Sequence, residues 1–339
     1  MRILVTGGAG FIGSNFIRYI LSKDNDCRVV NLDKLSYAGN LENLTDIESN
    51  PRYGFIKGDI CDYRVVDKAV SECDVVVNFA AESHVDRSIL NSSDFVMTNV
   101  FGTNVLLDAS RKFKIKKFIQ VSTDEVYGSV EDGSFREDNP LRPNSPYSAS
   151  KAGAEHLCRS YFVTFGLPVV ITRSSNNFGP YQYPEKFLPL SVTNLMEGRN
   201  IPIYGDGMNV RDWIYVEDNC DALYFLLKNG QAGETYNIAG GCEIANIDMA
   251  KSLLKLMGKP ISMIEYVKDR PGHDKRYSIS DSKIKSCGWA PKNEFPDALR
   301  RTIEWYQDNQ GWWKKIKHKS ADYKSYHSRQ YETGKQQGA

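Results

Sequence analysis

Short apolar runs alternate with longer amphipathic stretches through the first half of the chain. The apolar runs are rich in Val and Ile and bounded by Gly, Asp or Ser, a pattern typical of buried strands. They predict strands at residues 2–6, 28–32, 53–57, 75–79, 118–122 and 169–173. The stretches between them predict helices at residues 13–23, 63–71, 95–112 and 147–165. This alternation predicts an α/β fold, a Rossmann-type doubly wound parallel sheet with helices on both faces.

The pattern loosens after Arg173, where Asn, Pro, Tyr and Gly become frequent and the periodic segments shorten. We predict helices at 187–197, 217–229, 246–257 and 295–308, and a strand at 235–238. We therefore expect residues 1–173 to form a dinucleotide-binding domain. Residues 174–339 are expected to form mainly a smaller C-terminal substrate-binding lobe, with segments near 210–240 returning to the sheet. The last residues, 334–339, are expected to fray.

Composition excludes several classes of function. The chain has 43 Lys+Arg against 42 Asp+Glu, a balance that argues against nucleic-acid binding. It contains no stretch of about 18 apolar residues, so no membrane span is predicted. Met1 leads almost directly into Gly7, which leaves no room for a signal peptide. The seven cysteines form no C-x-x-C pair, so we expect reduced thiols, no metal site and a cytoplasmic protein.

A glycine-rich turn follows the first predicted strand and opens the first predicted helix. Its G-x-G-x-x-G pattern permits a tight turn and the close approach of a pyrophosphate. Asp33 lies 20 positions beyond Gly13, where a carboxylate accepts hydrogen bonds from the adenosine ribose and repels a 2′-phosphate. The pattern therefore favours NAD over NADP. The expected cofactor-binding residues, from this turn and the ends of the next strands, are Gly7, Gly10, Phe11, Ile12, Gly13, Asp33, Asp59, Ile60, Ala80 and Ala81, together with Tyr147 and Lys151.

Two polar groups are the candidates for catalysis. Tyr147 and Lys151 are four residues apart on a predicted helix and share one face, so the ammonium is expected to lower the tyrosine pKa. The same spacing recurs at four other tyrosines, and only the position of Tyr147 after the fifth strand singles it out. Thr123, Asp124 and Glu125 end that strand. Helix capping explains one such residue, whereas adjacent carboxylates titrate differently and suit paired acid and base chemistry.

These motifs resemble those of the extended short-chain dehydrogenase/reductase family, in particular its nucleoside-diphosphate-glucose 4,6-dehydratases. The resemblance runs from Met1 to about Tyr306 and rests on residues 7–13, 80–88, 123–128, 147 with 151, 176–181, 211–213 and 270–274. The Asp124–Glu125 pair is the specific part, because related epimerases and decarboxylases do not normally carry both carboxylates.

The resemblance implies an NAD-dependent lyase that acts on dTDP-glucose in three steps. Tyr147, helped by Lys151 and Thr123, deprotonates the 4-hydroxyl while hydride passes to NAD. Glu125 then removes the C5 proton, and Asp124 protonates the departing 6-hydroxyl. Hydride returns to C6 and C5 is reprotonated, which gives a 4-keto-6-deoxy sugar nucleotide. NAD ends unchanged and is expected to stay bound.

A sugar nucleotide carries a diphosphate, for which arginine forks are suitable partners. By the same resemblance, the expected substrate contacts are Ser83, His84, Asn177, Lys186, Leu188, Pro202, Tyr204, Arg211, Asn246, Arg270 and His273. A base stacked on Tyr204 is physically reasonable. The role of His84 stays open between sugar contact and packing. It also stays open whether the tyrosines at 323, 326 and 331 cover the substrate.

Several alternatives remain at this stage. UDP-glucose is an alternative substrate, since one methyl group on the base changes binding by only about 1–3 kcal/mol. A sugar-nucleotide 4-epimerase or decarboxylase is disfavoured by the two carboxylates. A non-catalytic NAD-sensing regulator would have no need of the tyrosine, lysine and carboxylates together. The family resemblance also implies a homodimer formed through the helices at 95–112 and 147–165.

Overall fold

The computed structural model describes residues 1–327 and 330. Its strands are β1 (Arg2–Thr6), β2 (Arg28–Asp33), β3 (Tyr53–Lys57), β4 (Val75–Asn78), β5 (Lys117–Thr123), β6 (Val169–Ser174), β7 (Asn176–Phe178), β8 (Ile201–Tyr204), β9 (Val210–Tyr215), β10 (Thr235–Ile238), β11 (Glu243–Ala245) and β12 (Ile264–Val267). The predictions of β1, β3 and β10 are confirmed at both ends. Those of β2, β4, β5 and β6 are confirmed to within one residue at each end.

The main sheet has seven strands in the order β10-β6-β5-β4-β1-β2-β3. Every neighbouring pair in it is parallel. The strand order reverses direction between β1 and β4, and ligands of such sheets bind outside the carboxyl ends of the strands at that reversal. The predicted Rossmann-type fold is confirmed, and the reversal lies where the glycine-rich turn follows β1.

The helices are α1 (Phe11–Lys23), α2 (Tyr63–Val70), α3 (Val85–Leu90), α4 (Ser93–Phe95), α5 (Thr103–Lys112), α6 (Pro146–Phe165), α7 (Phe187–Met196), α8 (Val216–Asn229), α9 (Asn246–Leu256), α10 (Ser282–Ser286), α11 (Phe295–Asp308), α12 (Gln310–Lys319) and α13 (Ala321–His327). Side chains alternate across the main sheet, as expected for strands buried on both faces. Ile3 and Val5 pack against α1 and α8. Leu4, between them, packs against α2, α5 and α6 on the other face. Among the described residues, no helix is long and apolar enough to cross a bilayer.

The single helix predicted at residues 95–112 is wrong over part of its length. Val96–Gly102, between α4 and α5, is a π-helix. The side chain of Asn99 accepts a hydrogen bond from Glu82 N (2.9 Å) and donates to Glu82 O (3.0 Å) and to Ser150 Oγ (2.8 Å). A Cβ on Gly102 would lie only 2.6 Å from Ile60. These tertiary contacts, which helical periodicity does not encode, accompany the wider turn.

The second lobe has its own core, with Trp213, Leu253, Ile303 and Trp313 among its buried residues. Two small sheets support it, one in the order β11-β9-β7 and one formed by β12 and β8. The chain returns to the main sheet in between, but only after residue 215, since the expected return near residue 210 is β9 of a small sheet. Helix α8 contacts α1, and β10 pairs with β6.

Candidate active site

One cavity at the carboxyl edge of the main sheet, facing the second lobe, contains every residue predicted for catalysis or binding. The catalytic candidates Thr123, Asp124, Glu125, Tyr147 and Lys151 line it. So do the cofactor candidates Gly7, Gly10, Phe11, Ile12, Gly13, Asp33, Asp59, Ile60, Ala80 and Ala81. It is also lined by the substrate candidates Ser83, His84, Asn177, Lys186, Leu188, Pro202, Tyr204, Arg211, Asn246, Arg270 and His273. The fold therefore brings together residues from distant parts of the chain.

The glycine-rich turn is packed too closely for side chains. Gly7 adopts a left-handed conformation with φ 67°, and a Cβ there would lie 2.7 Å from Ala80 N. A Cβ on Gly13 would lie 2.4 Å from Gly7 O. The turn leads directly into the first residues of α1, whose N-terminal N–H groups favour an anion. This cradle fits the pyrophosphate of a dinucleotide.

Asp33 lies at the end of β2 beside this turn. Its carboxylate accepts hydrogen bonds from Ala9 N (2.9 Å) and Leu35 N (2.8 Å). Burial raises the pKa of Asp33, while these two backbone N–H groups oppose the shift. Leu35 has φ 58°, an unusual left-handed conformation that accompanies its hydrogen bond to Asp33. The carboxylate is thus held in a fixed orientation at the cavity wall, where a ribose would be recognised.

The acidic pair directly follows strand β5, in a short 3₁₀ helix at Asp124–Tyr127. Thr123 Oγ1 accepts a hydrogen bond from Glu125 N (3.3 Å) and donates one to Asp124 Oδ1 (3.2 Å), so one hydroxyl orders both carboxyl residues. Asp124 is buried, and its Oδ2 has no hydrogen-bond partner among the described residues. Burial, and then the negative charges of Glu125 and Asp212, raise the pKa of Asp124 well above its ordinary value. This shift favours the protonated carboxyl, which is the form that can donate a proton.

Tyr147 and Lys151 lie in the first turns of α6, and both are buried. The predicted lowering of the Tyr147 pKa is not found. Burial, and then the negative charge of Glu125, raise the pKa of Tyr147, and only a hydrogen bond with Thr123 markedly opposes them. Lys151 Nζ instead donates to Val121 O at 2.6 Å. Burial lowers the pKa of Lys151 to about 8.

Tyr277 is a cavity residue that our sequence analysis missed. Its hydroxyl donates to Asp274 Oδ2 (2.7 Å) and approaches Glu125 Oε2 at 3.5 Å. The guanidinium carbon of Arg211 lies 4.1 Å from the centre of its ring. Tyr277 follows the 270–274 motif by three residues, but no pattern in the sequence links it to Glu125. Lys34 and Asp86 also line the cavity without having been given a role from the sequence.

Two arginines of the second lobe reach the cavity. Arg211 is buried and donates to two backbone carbonyls, Val210 O (2.7 Å) and Asp274 O (3.0 Å). Within residues 1–327 and 330, no carboxylate lies within ion-pair distance of its guanidinium. Arg270 pairs with Asp86 at 3.0 Å, and its buried Nε has no partner among the same residues. A buried cation without a carboxylate is suited to an anionic ligand such as a diphosphate.

His273 and Tyr204 form an aromatic pair near these arginines, with ring centres 6.0 Å apart. His273 Nδ1 lies 2.7 Å from Asp269 Oδ1. Burial, and then the charges of Arg270 and Arg211, lower the pKa of His273 to about 4, so it is neutral at physiological pH. The hydroxyl of Tyr204 donates to Asp86 Oδ2 at 3.0 Å.

The remaining candidates connect the two sides of the cavity. Lys186 Nζ donates to Ser83 O at 2.7 Å and lies 6.0 Å from the centre of the Tyr147 ring. His84 is buried at the residue preceding α3 and lines the cavity. Tyr323 is not among the lining residues, since it is buried in the second lobe with its hydroxyl donating to Pro184 O (3.1 Å). The side chain of residue 326 and residues 331 and 334–339 lie outside the described part of the chain.

Comparison with known proteins adds to this geometry. Residues 4–302 match the family described as GDP-mannose 4,6 dehydratase. The chain is 48% identical to a dTDP-glucose 4,6-dehydratase of Streptomyces niveus, with 94% of this chain and 96% of that protein covered. It is 52% identical to the low-salt glycan biosynthesis protein Agl12 of Haloferax volcanii, with 90% and 98% covered. The crystal structure of the dTDP-glucose 4,6-dehydratase DesIV of Streptomyces venezuelae, with NAD and dTDP bound, superposes with a TM-score of 0.92 at 48% identity, covering 93% of this chain and all of that one.

The parallel sheet, the glycine cradle and the Tyr147–Lys151 pair define a Rossmann-fold enzyme of the short-chain dehydrogenase/reductase type. Within that class, the Asp124–Glu125 pair directly after β5 indicates a 4,6-dehydratase. The chain belongs to the family of nucleotide-sugar 4,6-dehydratases.

Proposed function

We propose that this chain converts dTDP-glucose to dTDP-4-keto-6-deoxyglucose, a step of rhamnose-type deoxysugar nucleotide biosynthesis. The observation that carries the proposal is the pairing of buried Asp124, whose pKa is raised, with Glu125 in the cavity that also holds Tyr147. Bound NAD supplies the hydride acceptor for oxidation at C4 and the hydride donor for reduction at C6. The glycine cradle and the fixed carboxylate of Asp33 support NAD as the cofactor.

Tyr147 is the base at the sugar 4-hydroxyl. A hydrogen bond with Thr123 favours the phenolate of Tyr147 and lowers its pKa, against burial and the charge of Glu125, which raise it. Lys151 lies one helical turn further along α6 and contributes positive charge while it is protonated. Both residues are buried, which keeps bulk water away from the oxidised C4 carbon.

Glu125 and Asp124 then divide the elimination of water between them. A ketone at C4 makes the C5 proton acidic, and Glu125 accepts that proton. Asp124 gives its proton to the 6-hydroxyl, so that the C6–O bond breaks and one water molecule leaves. The raised pKa of Asp124 supports its role as the acid, because a carboxyl must be protonated to donate.

Residues 1–173 hold the cofactor in this proposal, and most of the second lobe holds the sugar nucleotide. Arg211 and Arg270 bind the diphosphate, and Tyr204 with Pro202 packs on the base. His273 is neutral and donates or accepts a hydrogen bond without adding charge. The remaining substrate candidates, Ser83, His84, Asn177, Lys186, Leu188 and Asn246, surround the sugar and the diphosphate.

We further propose a homodimer in the cytoplasm. Large apolar side chains are exposed on the π-helix and on α6, among them Met97 (50%), Val163 (64%) and Phe165 (46%). Burial of this surface against a second copy would remove apolar area from water. All seven cysteines are unpaired thiols, which supports a reducing compartment.

Mass spectrometry after incubation with dTDP-glucose, and separately with UDP-glucose, tests the proposal. The purified protein without added NAD is expected to remove one water from dTDP-glucose faster than from UDP-glucose. A faster reaction with UDP-glucose would identify the alternative substrate. An unchanged mass in both reactions, with and without added NAD, would contradict the dehydratase assignment. Epimerisation at C4, which leaves the mass unchanged, would then be measured by NMR.

A further inference from the structure

A lysine lies beside the carboxylate that faces the adenosine ribose. Lys34 follows Asp33 directly, and both line the cavity. Its ammonium is 2.7 Å from Asp59 Oδ2, while Asp59 Oδ1 accepts a hydrogen bond from Cys61 N at 2.9 Å. The side chains of Lys34 and Asp59 are 61% and 29% exposed, so this ion pair lies at the mouth of the cavity.

An unpaired lysine beside Asp33 would favour the binding of NADP over NAD. Ammonium groups bind phosphate oxygens well, and the 2′-phosphate is what distinguishes NADP from NAD. Here the positive charge is engaged by Asp59. The hydrogen bond between them raises the pKa of Lys34. Although burial alone would raise the pKa of Asp59, its hydrogen bond with Lys34 brings that pKa below the ordinary value.

We propose that Asp59 is a determinant of cofactor selectivity because it holds and neutralises Lys34, so that Lys34 does not bind a 2′-phosphate. Asp33 repels the 2′-phosphate directly, and Asp59 removes the attraction that its neighbour would otherwise supply. Selectivity is a difference between two affinities, and both carboxylates increase that difference. The inference rests on the proposed use of NAD.

The test measures which cofactor the protein retains. Native protein and the variants Asp59→Asn, Lys34→Met and the double variant are equilibrated with an equimolar mixture of NAD and NADP. The retained nucleotides are then released and quantified by chromatography. The ratio of bound NADP to bound NAD equals the ratio of the two affinities, and it does not depend on catalytic activity. Thermal unfolding of each variant confirms that it is folded.

Asp59→Asn is expected to raise the NADP:NAD ratio about tenfold, which corresponds to about 1.4 kcal/mol. Lys34→Met alone is expected to leave the ratio near that of the native protein. The double variant is expected to return it to that level, because no ammonium remains to bind the phosphate.

Two results would overturn the inference while leaving the proposed function intact. One is an unchanged ratio in folded Asp59→Asn. The other is an increase that persists in the double variant, which would mean that Asp59 repels the phosphate without involving Lys34. Failure of the native protein to retain either nucleotide would instead contradict the proposed function itself, and this inference with it.

Discussion

Substitution of Asp124 by Asn separates proton donation from the shape of the site. The two side chains have nearly the same volume, and the hydrogen bond from Thr123 Oγ1 to the retained oxygen can persist. Burial raises the pKa of Asp124 and so favours its protonated, uncharged form. The substitution therefore removes a transferable proton without removing a charge, and substrate binding should change little.

The expected loss lies in kcat. General acid catalysis contributes about 10²- to 10⁴-fold to a rate, so kcat should fall by about that factor while KM stays near its native value. Such a fall corresponds to about 3–5 kcal/mol in the activation barrier. Oxidation at C4 does not need this proton, so reduced nicotinamide should accumulate on the enzyme when substrate is added.

The stability of the same variant depends on pH with a defined sign. A carboxyl whose pKa is raised in the folded state contributes stability below its unfolded pKa, and that stability is lost as pH rises towards the folded value. The amide in Asp124→Asn does not titrate, so the variant does not lose this stability as the pH rises. The variant should gain stability relative to the native protein between about pH 4 and pH 7, by about 1.4 kcal/mol for each pH unit over which the folded Asp124 stays protonated while the unfolded one is ionised.

Rapid-mixing absorbance of reduced nicotinamide, steady-state kinetics and thermal unfolding at the two pH values measure these quantities. A native kcat in the variant would refute the assignment of Asp124 as the acid. Greater destabilisation of the variant at pH 7 than at pH 4 would refute the protonated state on which the reasoning rests.

Four further outcomes are expected. Glu125→Gln should oxidise C4 yet fail to exchange the C5 proton with deuterated solvent, and exchange at the native rate would exclude Glu125 as the base. Gly13→Ala should lose retained NAD, because the new Cβ would lie 2.4 Å from Gly7 O; full retention would show that the turn can shift. Arg211→Met should raise KM for dTDP-glucose about tenfold or more with a smaller effect on kcat, since it removes a diphosphate contact; an unchanged KM would contradict that contact. Activity should decline above about pH 8 as Lys151 loses its proton, and a rate that stays constant to pH 10 would contradict a catalytic role for its charge.

The main sheet is predictable from the sequence because its signals are local. Buried parallel strands give continuous apolar runs, and three of the seven main-sheet predictions are confirmed at both ends. The π-helix is different, since it depends on contacts of Asn99 with Glu82 and Ser150, residues that are remote in the chain. The strands of the small sheets were not predicted either. Four of these five strands, such as β7 and β8, have only three or four residues and carry too little periodicity.

The candidate site also combines features that local sequence signals predict with features that depend on tertiary contacts. The glycine turn and the acidic pair occur at fixed positions after strands, and the topology of a parallel sheet brings such positions to one edge. The contact between Tyr277 and Glu125 depends on how the second lobe folds back, which spacing does not reveal. The direction of the Tyr147 pKa shift is not predictable from the sequence either, because that pKa depends on burial and on Glu125 more than on the lysine four residues away.

The route of the chain between its two lobes limits how such an enzyme can acquire new specificities. A chain cut after β6 would lack β10, and the edge of β6 would lose its hydrogen-bonding partner. It would also lack α8. Leu223 and Leu226 of α8 belong to the same hydrophobic core as Val5 of β1 and Ile17 of α1. The second lobe therefore cannot be exchanged as a cassette by recombination at one junction. An exchange of the substrate-binding segments would need at least two junctions, one on each side of α8 and β10.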